Sequence, residues 1–484
     1  MRLLYFTILL AITSVPSRCQ LRNRVGKFDE VFAWKQLTFD INGIEVLEDR
    51  FSEDDLAGRD RRSTDNIYFD DKDNEEQKVW NKRPSLSSQL PVYNNPIDTP
   101  SSAPINPNDE VGRFFVQYNN VPMGAERVDD RVFITIPRRR YGIPATLNYI
   151  DLNLHGNSRS PPLSPYPDME RSRSLISVYR TRADECGRLW MVDTGVIEIP
   201  NNPQYLRPPA IVVFDLKTDK QILRYQFKSS DIPTNRTATG LASITVVIKN
   251  GDCSDAYAYV PDLQTFGLIV YSLRENDSWR HQHNYFHFNP TSGSLRVAGH
   301  SFMWNDGIFS VAAGQPGPDG CRPVYFHPMV SHQEFSVSSC ELEKRQANET
   351  AFEVVGDRGS NSQSTMHDMH GATKVMFFAE VGRDSISCWN TDMPLRPDNM
   401  AMLARDSSRL SYPSDLHVTD NEVWVTSNTL PRFIYSRFNP NDYNFFVYKA
   451  NVDNILSGTV CEGAKSDSPL YHNYGGYYNK NKYA

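Results

Sequence analysis

Two histidines and an aspartate fall within Thr365-Met-His-Asp-Met-His370, the densest titratable cluster in the chain. Imidazole titrates near neutral pH, so His367 or His370 could serve as a general base. On a strand the two would point to opposite faces, and they could not chelate one metal as a simple pair. A packed or solvated histidine is the plainer alternative. Glu126 is a second candidate base, with an ion pair to an arginine as its plainer role. Arg138, Arg139 and Arg140, followed by Tyr141, offer a cationic and aromatic entrance suited to a carboxylate; a solvated loop is the alternative. Ser177, Ser243, Asp306, Ser414, Asp415 and Asn428 complete the set of polar groups that could meet at one site. Asp193 and Asp262 close strand-like runs, where carboxylates commonly accept backbone N–H bonds in turns.

These residues lie on or beside a repeating element. The stretch at 188–195 (RLWMVDTG) has weaker copies at 131–137, 256–262, 323–328, 375–380 and 423–428. Val, Ile, Phe, Tyr and Trp suit a pleated, half-buried surface, so each copy predicts a strand. The copies start roughly 50–70 residues apart, at or above the length of a propeller blade. Upstream of each, across a turn, sits another strand-like segment: 124–128, 174–179, 241–247, 306–311, 365–370 and 414–418. A third strand often follows, as at 210–216, 267–273 and 444–452. One such unit cannot bury both its faces, so six should pack radially: an all-β, six-bladed propeller with a central channel. The first strand of each blade lines that channel, and polar groups at its ends converge on one site.

The remaining organisation follows from composition. Residues 1–19 read as a secretory signal peptide, with Arg2 before a mainly apolar run too short to span a membrane. Residues 20–44 form an N-terminal strand segment that joins the propeller. Residues 45–110 are rich in charged residues, Asn, Ser and Pro, and bury too little apolar surface to offset their ordering entropy. They predict a disordered acidic insertion. The propeller spans 111–462, and 463–484 form a flexible polar tail. A net charge of −7 argues against nucleic acid and against an anionic membrane surface. Six cysteines remain after position 19: Cys186, Cys253, Cys321, Cys340, Cys388 and Cys461. In an oxidising compartment they predict disulfides, and about fifteen pairings are open. Turn positions favour Cys186 with Cys253. Asn235, Asn276 and Asn348 open glycosylation sequons, as expected of a secreted, extracellular glycoprotein.

Several stretches together resemble the yellow/major royal jelly protein family of insects. They are 32–39 (FAWKQLTF), 119–124 (NNVPMG), 137–150 (PRRRYGIPATLNYI), 186–195, 210–216, 255–262 and 413–428. The likeness covers nearly the whole mature chain apart from the acidic insertion, which departs from the family's spacing, and the tail. It implies a secreted six-bladed propeller linked to melanin and cuticle pigmentation. Some members act on dopachrome, and salivary members bind biogenic amines in the channel. Tautomerisation of dopachrome needs a base, here His367 or Glu126, and a clamp for the substrate carboxylate, here the 138–140 arginines. It needs no redox cofactor, and no nucleotide loop or haem motif is present. Non-catalytic binding of a catechol-derived or amine ligand is the alternative. Resemblance to the amine binders places Ser414, Asp415, Asn428 and Leu430 at the ligand. Those members carry a hydroxyl at Pro413 and an aromatic near Leu430, departures that weigh against amine binding. A structural role among cuticle components is open, as is a lactonase-like hydrolase with Glu126, Asp306 and Asp415 around a divalent cation.

Overall fold

The computed structural model describes residues 23–47, 115–200 and 202–463. The expected leader, the acidic stretch beyond residue 47 and the tail beyond residue 463 lie outside the described residues. Six antiparallel sheets stand in a ring as the blades of a propeller. Their innermost strands are Gly124–Val128, Val178–Ala183, Thr245–Ile248, Ile308–Ala313, Ser364–His370 and Pro413–Thr419. Their second strands are Arg131–Thr135, Arg188–Asp193, Ala256–Asp262, Pro323–Pro328, Val375–Glu380 and Glu422–Ser427. Three smaller two-stranded sheets decorate the ring.

The second strands are apolar almost throughout because each blade is covered on both faces. On Arg188–Asp193, Leu189 and Met191 pack with Phe133 and Leu147 of blade one. The alternate residues Trp190 and Val192 pack with Ala258 and Val260 of blade three. On Ala256–Asp262, Tyr257 and Tyr259 turn the other way, against Val324 and Phe326 of blade four. The period of two therefore survives as a choice between neighbours rather than between core and solvent.

The ring closes through the amino terminus. Phe28–Trp34 pairs antiparallel with Phe445–Asn451, setting Glu30 opposite Tyr448 and Trp34 opposite Phe445. Blade six thus takes strands from both ends of the described chain. Disulfides add further ties. Cys186–Cys253 links the turns preceding the second strands of blades two and three. Cys321–Cys340 lies within blade four, and Cys388–Cys461 fastens the chain beyond blade six to blade five. No helix among the described residues is long and apolar enough to cross a membrane.

In blades two, three and four the innermost strands begin two to four residues later than the pattern predicts. In blade two the reason is visible. The backbone N–H groups of Ile176 and Ser177 donate to Asp193 Oδ1, at 3.1 and 2.9 Å. The carboxylate closing the second strand thereby caps the incoming chain before ladder pairing starts. Asp262 instead caps the turn that leaves its own strand, accepting from the Gln264 and Thr265 N–H groups. The shift moves Ser177 out of the innermost strand and brings in Arg180 and Arg182.

Candidate functional site

Antiparallel pairing puts the starts of the innermost strands and the ends of the second strands on one face of the ring. Gly124 opposes Thr135, Ile308 opposes Pro328 and Pro413 opposes Ser427. The loop carrying Arg139 leaves the second strand of blade one at this face. Asp306 lies two residues before its innermost strand, Tyr412 one residue before its own, and Tyr179 is the second residue of the strand in blade two. The axis has a mouth here.

Below the mouth the axis is filled. Arg180, fully buried, donates through Nε to the Ser414 carbonyl at 3.0 Å and through a terminal nitrogen to the Ala242 carbonyl at 2.8 Å, joining blade two to blades six and three. Its Nε lies 3.5 Å from Asp415 Oδ1. One step along, Arg182 grips Asp368 of blade five with two N–H bonds, at 2.6 and 3.2 Å, and points a third contact at His417 Nδ1, 3.1 Å away. On its other side His417 Nε2 meets Asp415 Oδ2 at 3.0 Å and Glu126 Oε2 at 3.4 Å. Burial works against the charged imidazole, but Asp415 and Glu126 outweigh it and push His417 up to about 9. Burial raises Glu126, against the opposing fields of His417 and Arg182. Burial also opposes the Asp368 carboxylate, yet Arg182 holds it below its ordinary value. Gly124 makes room for this: a Cβ there would stand 2.7 Å from Asp415 Oδ2, which accepts the Ala125 N–H at 3.2 Å. Three carboxylates and three cations from four blades balance in charge across the axis.

The mouth above this plug holds a different set. Asp306 Oδ1 accepts from Gln264 Nε2 at 3.1 Å, and no described residue donates to Oδ2. Burial pushes the Asp306 carboxyl up to about 6, against the favourable charge of Arg139 and the Gln264 bond. Arg139 stands 6.0 Å from the Tyr179 ring centroid. The Tyr179 hydroxyl is buried beside Arg139, no described residue accepts its proton, and burial raises its pKa against the opposing effect of Arg139. Tyr412 lies in the fields of Arg180, Asp306, Arg139 and Tyr435 together, which puts it between plug and rim. Its ring meets Trp304 edge-on at 6.1 Å, and Trp304 Nε1 donates to the Tyr435 hydroxyl at 2.6 Å. A carboxylate, a guanidinium, tyrosine hydroxyls and aromatic rings thus stand together at this face. Such a set can hold a flat conjugated ligand, pair its carboxylate and exchange protons with it.

His367 does not open onto this mouth. Its side chain is sealed between blades four and five, with Nδ1 2.6 Å from Ser310 Oγ and Nε2 3.1 Å from Glu334 Oε1, the latter out of line for a hydrogen bond. Glu334 also contacts His327 Nδ1 at 3.0 Å and accepts from Arg358 at 2.6 Å. His327, Glu334 and His367 are the one group of three possible metal ligands among the described residues. Burial pushes His327 down to about 4, so it is neutral near pH 7. Burial works against the Glu334 carboxylate too, but the facing imidazoles hold it well below the usual range. Arg358 already supplies a buried positive charge to Glu334, so a divalent ion would leave an excess of charge away from water. The donor set fits an internal ion-pair network rather than a metal. It sits where the apolar cluster is smallest, five residues around Phe378 and Trp389.

The remaining residues singled out in the sequence divide clearly. Arg138 spends its guanidinium on the carbonyls of Ile143, Pro144, Leu175 and Ile176. Arg140 donates to the Phe433 carbonyl at 2.7 Å and stacks on that ring at 3.8 Å. Ser414 Oγ donates to the Met123 carbonyl, and Asn428 bridges Pro122 and Leu430. Leu430 is buried at the start of the helix Leu430–Tyr435. Tyr141 is half-buried on the rim, where its carbonyl accepts from Asn119. Glu126 and Asp415 share the plug, while Asp306 belongs to the mouth, so these three carboxylates do not gather around one cation. Asn235, Asn276 and Asn348 are exposed. The residues that sequence reasoning passed over are Arg180, Arg182, Tyr179, His417, Tyr412, Trp304 and Tyr435. A signal did exist: an Arg-x-Arg alternation in 178–183 (VYRTRA), charged where a buried strand should be apolar.

Comparison with known proteins agrees with the fold. The major royal jelly protein family model matches residues 176–461. A Drosophila melanogaster protein named L-dopachrome tautomerase yellow-f is 44% identical over 360 residues, which cover 72% of this chain and 83% of that protein. Protein yellow of Drosophila subobscura and of Drosophila melanogaster are each 37% identical over 360 residues. Those matches span 62% and 65% of the yellow proteins, less than two thirds of their length. On this sequence likeness, carried by a six-bladed ring, the chain belongs to the yellow/major royal jelly protein family.

Proposed function

We propose that this chain is a secreted pigmentation protein that tautomerises dopachrome, or a closely similar carboxylated aminochrome, at the axial mouth. The observation that carries the reading is that Asp306 lies in the field of Arg139 at a face of the ring that also carries Tyr179, Tyr412, Trp304 and Tyr435. Dopachrome is a flat indoline quinone bearing one carboxylate. Arg139 offers that carboxylate a cationic partner, and the aromatic side chains suit its ring. The relative named L-dopachrome tautomerase yellow-f supports the reaction. Three disulfides, a leader-like start and three exposed sequons support secretion and glycosylation. The test is to add purified mature protein to L-dopachrome and follow loss of the chromophore and appearance of the dihydroxyindole carboxylate, the isomer that retains the carboxyl group. Saturable acceleration, absent after heat inactivation, is expected; a rate equal to buffer contradicts the reading.

A non-catalytic carrier is the second reading, because Asp306 and the same aromatic side chains would also suit an ammonium ligand. Calorimetric titration with dopamine and serotonin separates the two: heat of binding without dopachrome turnover favours the carrier.

A further inference from the structure

We propose that Asp306 is the catalytic base of this site and that the Tyr179 hydroxyl donates the proton to the substrate oxygen. The inference rests on the reading of the mouth as an aminochrome tautomerase and assigns the two proton-transfer roles within it.

Four observations converge on Asp306. It stands at the mouth, partly exposed, whereas Glu126, Asp368 and Asp415 are committed to cations within the plug. One of its oxygens is fixed by Gln264 and the other has no donor among the described residues, which leaves a lone pair for a substrate C–H. Burial and Arg139 act on it in opposite senses, and the balance keeps the carboxylate ionised at neutral pH yet far more basic than an ordinary aspartate. The same Arg139 stands beside Tyr179, so a substrate carboxylate on that guanidinium would bring one ring between the carboxylate and the hydroxyl. Tyr179 contributes the complementary feature: a buried hydroxyl beside the Arg139 guanidinium, whose proton no described residue accepts. Arg139 can only donate, so the hydroxyl proton is left for a substrate oxygen to accept.

The chemistry balances without an oxidant or reductant. Asp306 takes a proton from a ring carbon of the five-membered ring, and that C–H bond breaks. Its electron pair moves through the conjugated ring into a quinone carbonyl, whose oxygen takes the Tyr179 proton. Tyr179 recovers a proton through water, and Asp306 releases the one it took. A second carbon-bound proton is lost in the same manner, and the second carbonyl becomes a hydroxyl. Two protons leave carbon and two arrive on oxygen, an isomerisation. Arg180, beneath Tyr412 and near Tyr179, places a fixed positive charge close to where the oxyanion develops.

The test compares wild-type protein with Asp306→Asn, Asp306→Glu and Tyr179→Phe on L-dopachrome across pH 5 to 8, with thermal unfolding of each. Wild-type activity should fall on the acid side with a midpoint near 6, as the base protonates. Asp306→Asn should lower kcat about 100-fold or more with KM little changed and that acid limb gone. Asp306→Glu should restore part of the rate, and Tyr179→Phe should lower kcat about tenfold or more. Stability of Asp306→Asn should not fall. An active wild type whose Asp306→Asn variant keeps its rate within threefold, or keeps the same acid limb, overturns the assignment while leaving the tautomerase reading standing. A wild type with no activity overturns both.

Discussion

Arg182 of blade two holds Asp368 of blade five across the propeller axis with paired N–H bonds of 2.6 and 3.2 Å. The residues are far apart in sequence, and only closure of the ring brings them together. This clamp, with His417 beside it, fills the axis beneath the face that carries Arg139 and Asp306. Removing one partner strands the other's charge. Arg182→Met should therefore destabilise the fold by about 3 kcal/mol, and Asp368→Asn by a similar amount. The double variant should lose clearly less than the sum, as equilibrium denaturation of the four proteins would show.

His417 gives the same region a pH signature. Its folded pKa, about 9, lies above the ordinary histidine value, so its stabilising effect is complete below about pH 6.5. That effect is lost as pH rises through 9, and linkage sets its ceiling at about 3 kcal/mol. The midpoint of unfolding should fall between pH 7 and 9.5 in the wild type. His417→Gln should start lower and show a flatter profile over that range. Parallel profiles for the two proteins would contradict the assignment.

The network between blades four and five carries stability instead of turnover. Glu334→Gln leaves Arg358 unpaired in a sealed site and should cost about 3–5 kcal/mol. His367→Gln should cost less, because it removes a hydrogen-bonding ring and no permanent charge. It should keep dopachrome turnover within threefold once the protein is folded. Because Arg358 already neutralises Glu334, neither zinc nor a chelator should move the midpoint of unfolding. A zinc-dependent rise lost in His367→Gln would reinstate a metal at this place.

Asp306 should show the opposite relation between stability and activity. Its folded pKa, about 6, is above the ordinary aspartate value, so the cost of keeping the ionised form in the fold grows from about pH 4 and is complete above about pH 6. Asp306→Asn removes that cost and should stabilise the protein at pH 7.5 by up to about 3 kcal/mol, with little gain at pH 4. A destabilised variant would mean that Asp306 is a structural partner of Gln264 and Arg139.

Much of this was legible in the chain, and the missing parts share a cause. The second strands showed through because burial on two faces makes them continuous apolar runs such as Ala256–Asp262. The innermost strand of blade two was displaced by four residues because Asp193 caps Ile176 and Ser177, a contact across 16 or 17 positions that no local propensity encodes. The expected segment therefore ends at residue 179, short of Arg180 and Arg182. The arginine run at 138–140 was found, but carbonyls of the 143–144 and 175–176 segments claim Arg138, and Phe433 claims Arg140. Arg139 is left at the mouth. His367 looked catalytic because of its type; its partners Ser310, His327, Glu334 and Arg358 come from another blade, and only packing reveals that they enclose it.

The most direct measurement is a crystal structure of the protein soaked with indole-2-carboxylate, an unreactive analogue that keeps the flat ring and the carboxylate. The ring should lie in the mouth beside Tyr412 and Trp304, its carboxylate on Arg139 and its pyrrole edge facing Asp306. A ligand seated away from Arg139 and Asp306, or a mouth left empty at saturating concentration, would contradict the account.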